Sequence, residues 1–276
     1  MSSAALGPTS RSTGIREPSR ARIRSIRRLT GRKGRRESGH FLAEGRQAVR
    51  EALAYARVAG LWVDTSRVDE HADLLATAGE VPVWGLTATE LADVTDTVTP
   101  QGILAEVAAV DAELTPVLAA HPNLVVVCAR IRDPGNLGAV LRCADAFGAD
   151  AVICTTDSVE LGNPKVVRAS VGSVFHLPVV TGQDLPTLVE DLHHAGLQVL
   201  AADGSGVDLR RISREGGLSR PTAWVMGNEA WGLPEADAAL ADALVAVPLR
   251  GRAESLNLAT AAAVCLYETS TAQRGE

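Results

Sequence analysis

The chain has 276 residues, 46% hydrophobic and 22% charged, with a mean hydropathy of +0.09, the composition of a soluble globular protein with room for one large domain or two modest ones. No apolar run approaches the ~18 residues of a membrane-spanning helix, and the polar, basic N-terminus has no apolar signal core, an organelle transit peptide being the lesser alternative. The net charge of −6 conceals an asymmetry: residues 1–50 carry 13 Lys/Arg against 3 Asp/Glu and the remainder 14 against 30, which favours a polyanionic partner met through the basic end over a solubilising tail.

Residues 1–21, rich in Ser, Pro, Gly and Arg, read as a disordered basic arm. Ile23, Ile26 and Leu29 have helical spacing, so a short basic helix is expected there, followed by a glycine-broken basic loop. Arg24, Arg27, Arg28, Arg32, Lys33, Arg35 and Arg36 of this stretch are candidate phosphate contacts. Residues 41–60 read as helical, with Val49, Leu53 and Ala56 on one face. A strand at 61–64, a helix at 68–78, a strand at 81–86, a capped helical turn at 87–94 and a strand at 102–107 follow, and this small α/β unit ends near Ala109. Residues 110–122, with Pro116 and Pro122, read as a linker. The pattern then restarts with a continuous apolar strand at 124–129, of the kind buried on both faces. Next come a helix at 136–148, a strand at 149–155, a helix at 184–196, strands at 197–203, 222–228 and 244–249, and a helix at 256–270. Such alternation predicts a parallel sheet covered on both faces. The expected division is an arm (1–21), a small domain (22–109), a linker (110–122) and a larger domain (123–276). Cys128, Cys143, Cys154 and Cys265 lie far apart in apolar surroundings and read as reduced core residues of a cytosolic protein. Neither they nor the scattered histidines have metal-ligand spacing.

In open parallel α/β sheets, ligands bind beyond the carboxyl ends of the strands. Three loops fall at such ends: Arg130–Gly138, Gly227–Leu233 and Pro248–Asn257. Taken singly, each is weak, since Gly135 can simply serve a turn and Asn136 can simply cap a helix. No GxGxxG occupies the first strand-to-helix turn and no phosphate-binding P-loop is present, which disfavours a dinucleotide site. Arg142 lies two turns into an apolar helix, six residues beyond Asn136; on the buried side of such a helix it needs an anionic partner or a role.

In combination the signal is stronger. DPGNLGAVLRCADAFGA, VMGNEAWGL and VPLRGRAESLNLATAAAVCLYE resemble the three successive motifs of the SpoU (TrmH-like) branch of the knotted RNA methyltransferases. NPKVVRASVGSVFHLPVV resembles that family's Lys-Val-x-Arg-x-Ser segment; with FLAEGRQAVREAL, the likeness covers about residues 22–270. The resemblance implies an α/β fold: a parallel-sheet catalytic domain with a C-terminal trefoil knot, preceded by a small L30e-like α/β RNA-binding domain. It implies an S-adenosylmethionine-dependent methyl transfer to a ribose 2′-hydroxyl of RNA, with 23S ribosomal RNA favoured. Transfer RNA, resistance-conferring modification of large-subunit RNA, base methylation and a non-catalytic RNA-binding or assembly factor are the alternatives. Implied methyl-donor contacts are Ala202, Gly227, Asn228, Val247, Leu249, Ser255, Leu256 and Asn257. Asn136, Arg142, Glu229, Ser255 and Asn257 match the family's catalytic polar positions. Arg168 becomes a second phosphate candidate, with a structural ion pair as the alternative. A homodimer in the cytoplasm, without metal or membrane, completes the picture. A guanidinium in a protein stays protonated, so Arg142 is expected to clamp phosphate and oxyanion and not to act as a base. One departure stands out: Pro100 precedes Gln101-Gly102 where the family often has His, which leaves the site-selection role of that loop open.

Overall fold

The computed structural model describes residues 14–95, 97–228 and 231–275. The N-terminal unit runs β1 (Ile15–Arg16), α1 (Arg20–Arg27), α2 (Arg32–Ser38), β2 (His40–Glu44), α3 (Arg46–Tyr55), β3 (Val58–Asp64), α4 (Ala72–Thr77), β4 (Val83–Leu86), α5 (Ala88–Ala92) and β5 (Ile103–Ala108). Its sheet has the order β1-β4-β3-β5-β2; β1, β4 and β3 are mutually parallel, and β5 is antiparallel to both neighbours. Ser19 caps α1, and Thr87 with Glu90 forms a reciprocal capping box that starts α5.

Phe41–Glu44, expected to begin a helix, is strand β2. Its side chains alternate between two apolar clusters, Phe41 and Ala43 entering one and Leu42 the other, and a period of two cannot be met by a helix. The basic loop expected after α1 is helix α2. Residues 14–21, read as part of the arm, hold β1 and the start of α1, because Ile15 and Arg16 pair with Val83 and Trp84. Residues 1–13 of that arm lie outside the described residues.

The C-terminal unit runs β6 (Asp111–Ala112), α6 (Leu114–Ala119), β7 (Leu124–Cys128), α7 (Pro134–Ala146), β8 (Ala151–Thr155), α8 (Pro164–Ser170), β9 (Val179–Gln183), α9 (Leu185–His194), β10 (Gln198–Asp208), α10 (Leu209–Arg214), β11 (Thr222–Met226), α11 (Glu235–Ala238), β12 (Ala243–Ala246) and α12 (Leu258–Arg274). β6 and α6 therefore occupy the span read as a linker. All strand pairs in the sheet β12-β10-β11-β7-β8-β9-β6 are parallel. On one face, Val125 and Val127 of β7 pack with Leu185, Leu188 and Leu192 of α9. On the other, Val126 and Cys128 join Leu137 and Leu141 of α7 and Ala262 and Leu266 of α12. This second cluster continues without a break into Phe41, Val49 and Ile103, so the two units share one core. Strand order reverses between β7 and β11, which makes that edge the topological switch point. Among the described residues no helix is long and apolar enough to cross a membrane, and no group of three His, Cys, Asp or Glu is placed to hold a metal.

Candidate active site

The loop after β7 is organised by Asp133, whose carboxylate accepts the Asn136 backbone N–H at 2.8 Å and caps α7, with Pro134 in the first turn. Asp133, and not Asn136, is thus the cap, which leaves the Asn136 side chain free for other work. At the start of α12, Asn257 Oδ1 accepts from the backbone N–H of Ala259 (2.9 Å) and Thr260 (3.3 Å). Its Nδ2 donates to Asn136 Oδ1 at 2.9 Å, tying the first and third loops together across 121 residues of sequence. An amide has one oxygen and one NH₂; with its oxygen engaged, Asn136 is left presenting two N–H donors. α7 itself is seated on α8 through Gly138, where a Cβ would lie 2.5 Å from Ala169 Cβ and 2.7 Å from the Val166 carbonyl oxygen.

The second loop is closed at its base by an Asn228–Gly232 bridge. Asn228 N donates to the Gly232 carbonyl (3.0 Å) and Gly232 N to the Asn228 carbonyl (2.8 Å). A Cβ on Gly227 would meet the Gly232 carbonyl carbon at 2.7 Å, so glycine is required for this closure. The Asn228 side chain is 5% exposed and donates to the Arg130 carbonyl at 2.8 Å. Arg130 adopts φ 53°, a left-handed conformation that only firm surroundings impose on a residue with a Cβ. Its amide donates to Thr155 Oγ1 at 2.9 Å and its guanidinium pairs with Asp237. The first and second loops are therefore locked to one another.

Between these loops, the middle of β10 and the carboxyl ends of β11 and β12 lies a cavity of about 580 Å³. Its lining includes all eight expected donor contacts: Ala202, Gly227, Asn228, Val247, Leu249, Ser255, Leu256 and Asn257. Met226 and Val245 add apolar surface, and Asp203 and Glu254 add two carboxylates that the motif comparison had not singled out. The position of Asp203 at the end of the strand read at 197–203 is the signal that points to it. Its carboxyl is held below the usual range by the Ser205 hydroxyl and backbone N–H, which donate to it at 2.6 and 2.8 Å. Among the described residues, no Lys or Arg lines the cavity. Burial pushes the Cys265 thiol up to about 12, so it stays protonated and unreactive in the core.

The other expected site residues fall in different places. Arg142 is exposed on α7, not on its buried side, and pairs with no carboxylate among the described residues. It does not line the cavity. Ser255 is exposed at the cavity rim. Glu229 lies outside the described residues. Arg168 is ion-paired with Glu44 at 3.5 Å. Arg35, expected on an RNA face, is 9% exposed and spent internally: it donates to the carbonyls of Leu29 and Thr30 and pairs with Glu160 of the C-terminal unit. Arg27, Arg28, Arg32 and Lys33 are exposed but matched by Asp93, Glu37, Glu160 and Glu37, while Arg24 and Arg36 are exposed without an ion pair among the described residues. Pro100 and Gln101 are held by Arg67 and by the backbone N–H of Arg46, at 3.1 and 3.0 Å.

A parallel sheet whose switch point carries a cavity lined by both apolar side chains and convergent polar groups is the arrangement of a small-molecule-using α/β protein. Residues 123–267 match the SpoU rRNA Methylase family, and residues 20–105 match the MRM3-like substrate binding domain. The chain belongs to the SpoU rRNA methylase family. Among its relatives is an uncharacterized tRNA/rRNA methyltransferase of Synechocystis sp., 34% identical over 91% of each chain. Another is the 23S rRNA (guanosine(2553)-2′-O)-methyltransferase RlmP of Bacillus subtilis, 32% identical over 89% of this chain and 94% of the relative. Similar solved structures include the AdoMet-bound rRNA methyltransferase from Sinorhizobium meliloti (TM-score 0.78, 32% identity, 93% of this chain and 97% of the other). A second is the SpoU methyltransferase AviRb from Streptomyces viridochromogenes in complex with the cofactor AdoMet (TM-score 0.80, 28% identity, 93% and 100%).

Proposed function

We propose that this protein transfers the methyl group of S-adenosylmethionine to a ribose 2′-hydroxyl of 23S ribosomal RNA. The observation that carries the reading is the single cavity formed by all eight expected donor contacts, bounded by the Asn136–Asn257 hydrogen bond. Its volume is within the ~300–1,000 Å³ of small-molecule sites. The residues fit the donor: Met226, Val245, Val247, Leu249 and Leu256 offer apolar walls to an adenine, and Asp203 and Glu254 offer negative charge to a cationic ligand. When bound, the donor supplies an electrophilic methyl on a positively charged sulfur.

The chain's own residues then orient the acceptor and stabilise charge. Asn136, its amide fixed by Asn257, presents N–H donors toward the ribose. Arg142 offers a planar, forked donor set that clamps phosphate and the developing oxyanion. Ser255 and Glu229 complete the polar set. Arg142 stands six residues beyond Asn136, about 9 Å of helix rise, and outside the cavity of its own chain. That separation favours a homodimer in which one protomer's α7 completes its partner's site. The return of β12 to the sheet edge beside β10, followed by the loop that carries Asn257 back onto α7, supports a C-terminal trefoil knot. Residues 22–109 act as the L30e-like RNA-binding domain, with Arg24 and Arg36 as free cations, and the site of action is the cytoplasm, where ribosomal RNA and reduced cysteines belong together.

The test has two arms. Calorimetry is expected to show S-adenosylmethionine binding near one molecule per chain; a folded protein that binds neither the donor nor S-adenosylhomocysteine is a non-catalytic RNA-binding factor. Mapping 2′-O-methyl groups in RNA from a deletion strain is expected to show one missing site in 23S RNA. A site lost from transfer RNA, or a lost base methyl, overturns the target.

A further inference from the structure

The chain has four tryptophans, and they are placed very differently. Trp62 and Trp224 are fully buried, and Trp84 stacks on Trp62 at 5.9 Å. Trp231 is 52% exposed, next to Gly232 of the Asn228–Gly232 bridge. Its recorded ring contact is the Arg132 guanidinium, 5.4 Å from the ring centroid. Arg132 is exposed and has no ion pair among the described residues, in contrast to Arg130 two residues earlier, which pairs with Asp237.

Among the described residues, Trp231 belongs to none of the apolar clusters, and about half of its surface is open to solvent. The flanking residues are anchored: Asn228 donates to the Arg130 carbonyl, and Asn228 and Gly232 exchange backbone hydrogen bonds. Arg132 adjoins Asp133, whose carboxylate accepts the Asn136 backbone N–H, and Trp231 adjoins Gly232, which lines the cavity, so the chain carries the pair to the border of the proposed site. An exposed aromatic plane flanked by a planar cation is the chemistry that receives an unpaired nucleobase: the base stacks on the indole and the guanidinium meets the neighbouring phosphate.

We infer that Trp231 and Arg132 form a stacking platform for an unpaired RNA base next to the methylated nucleotide. The inference rests on the function proposed above and adds a contact that holds the splayed RNA strand in register with the donor cavity. Stacking on an aromatic is tolerant of base identity, so the platform contributes affinity and register and leaves the choice of base to other contacts.

The experiment uses the full-length protein and a single-stranded 12-nucleotide RNA carrying one 2-aminopurine, whose fluorescence is quenched by stacking on indole. Wild type and Trp231→Phe are expected to bind it alike, and Trp231→Ala to bind about tenfold more weakly with the quenching lost. Because stacking displaces no counterions, the salt dependence of the residual binding should match wild type for Trp231→Ala, whereas Arg132→Ala should flatten the slope by up to one phosphate contact. S-adenosylmethionine affinity by calorimetry and the melting temperature of Trp231→Ala are expected to stay at wild-type values. The platform is overturned if Trp231→Ala binds the RNA like wild type, if wild type shows no quenching, or if the variant changes oligomeric state in sedimentation, which would make Trp231 an interface residue. Failure of the methyltransferase reading shows separately, as a wild-type protein that does not bind the donor.

Discussion

Asn257 does two things with one amide, and they can be separated. Asp and Asn are equivalent caps, so Asn257→Asp keeps the acceptor for Ala259 and Thr260 and should alter stability by no more than about 0.5 kcal/mol in a thermal melt. A carboxylate, however, cannot donate to Asn136, and Asn136 must turn its NH₂ inward to meet it. Single-turnover methyl transfer should fall about 10²-fold, the usual effect of losing one donor aimed at a developing oxyanion; an unchanged rate would show that the orientation of Asn136 does not matter. Arg142→Lys keeps the charge and removes the planar fork. It should lower turnover and leave S-adenosylmethionine affinity untouched, because Arg142 does not line the cavity; full turnover in the Lys variant would rule out a bidentate role. At this scale the sequence motifs singled out eight residues that the structure brings to one cavity, because loops at strand ends converge there. They misplaced Arg35, since charge alone cannot reveal that Glu160, 125 residues away, waits to bury it.

At the scale of elements, two contacts decide how α7 is held. Gly138→Ala gains helix propensity but drives a Cβ to 2.5 Å from Ala169, and the overpacking term of about 1–3 kcal/mol should win, giving a lower melting temperature and a weakened Asn136 position. Further along, His176 joins α7 to α3: its Nδ1 lies 2.8 Å from Asp145 and its Nε2 3.1 Å from Glu51. Burial, the largest single effect, lowers the His176 pKa, but hydrogen bonds and charge from the two carboxylates together outweigh it and raise it above the ordinary value. The latch is therefore fully stabilising below the unfolded value near 6.5 and fades as pH rises through the higher folded value. His176→Gln should lose more melting temperature relative to wild type at pH 6 than at pH 8, and an equal loss at both would remove the charged latch. His71, kept below its ordinary value by burial and by Arg46, pulls the opposite way, so the comparison must be between variant and wild type at each pH. Helix α7 was legible because apolar residues recur along it, but its start was read two residues late, at Asn136, because the Asp133 cap and Pro134 were passed over. β2 was not legible, because only its two-sided burial distinguishes it from the helix that follows, and that burial is made by distant chain.

At the scale of the whole molecule, the alternation of strands and helices was enough to read a parallel sheet, but not its order or the shared core that joins both units through Phe41 and Phe175, stacked at 6.1 Å. The dimer proposal is testable by mixing two inactive variants. Arg142→Ala keeps a sound cavity, and Ala202→Phe fills one while keeping Arg142. If the arginine acts across the interface, mixed dimers contain one intact site and recover activity; if it acts within its own chain, the mixture stays inactive. Finally, the Asn136–Asn257 bond has a consequence in time. At about 5–20 residues per second of synthesis, Asn257 leaves the ribosome roughly 6 to 24 s after Asn136. Throughout that interval the nascent chain has its N-terminal unit and the β7–α7 segment but no closed cavity and no oriented amide. The proposed methyl transfer therefore has no oriented Asn136 amide until α12 has packed.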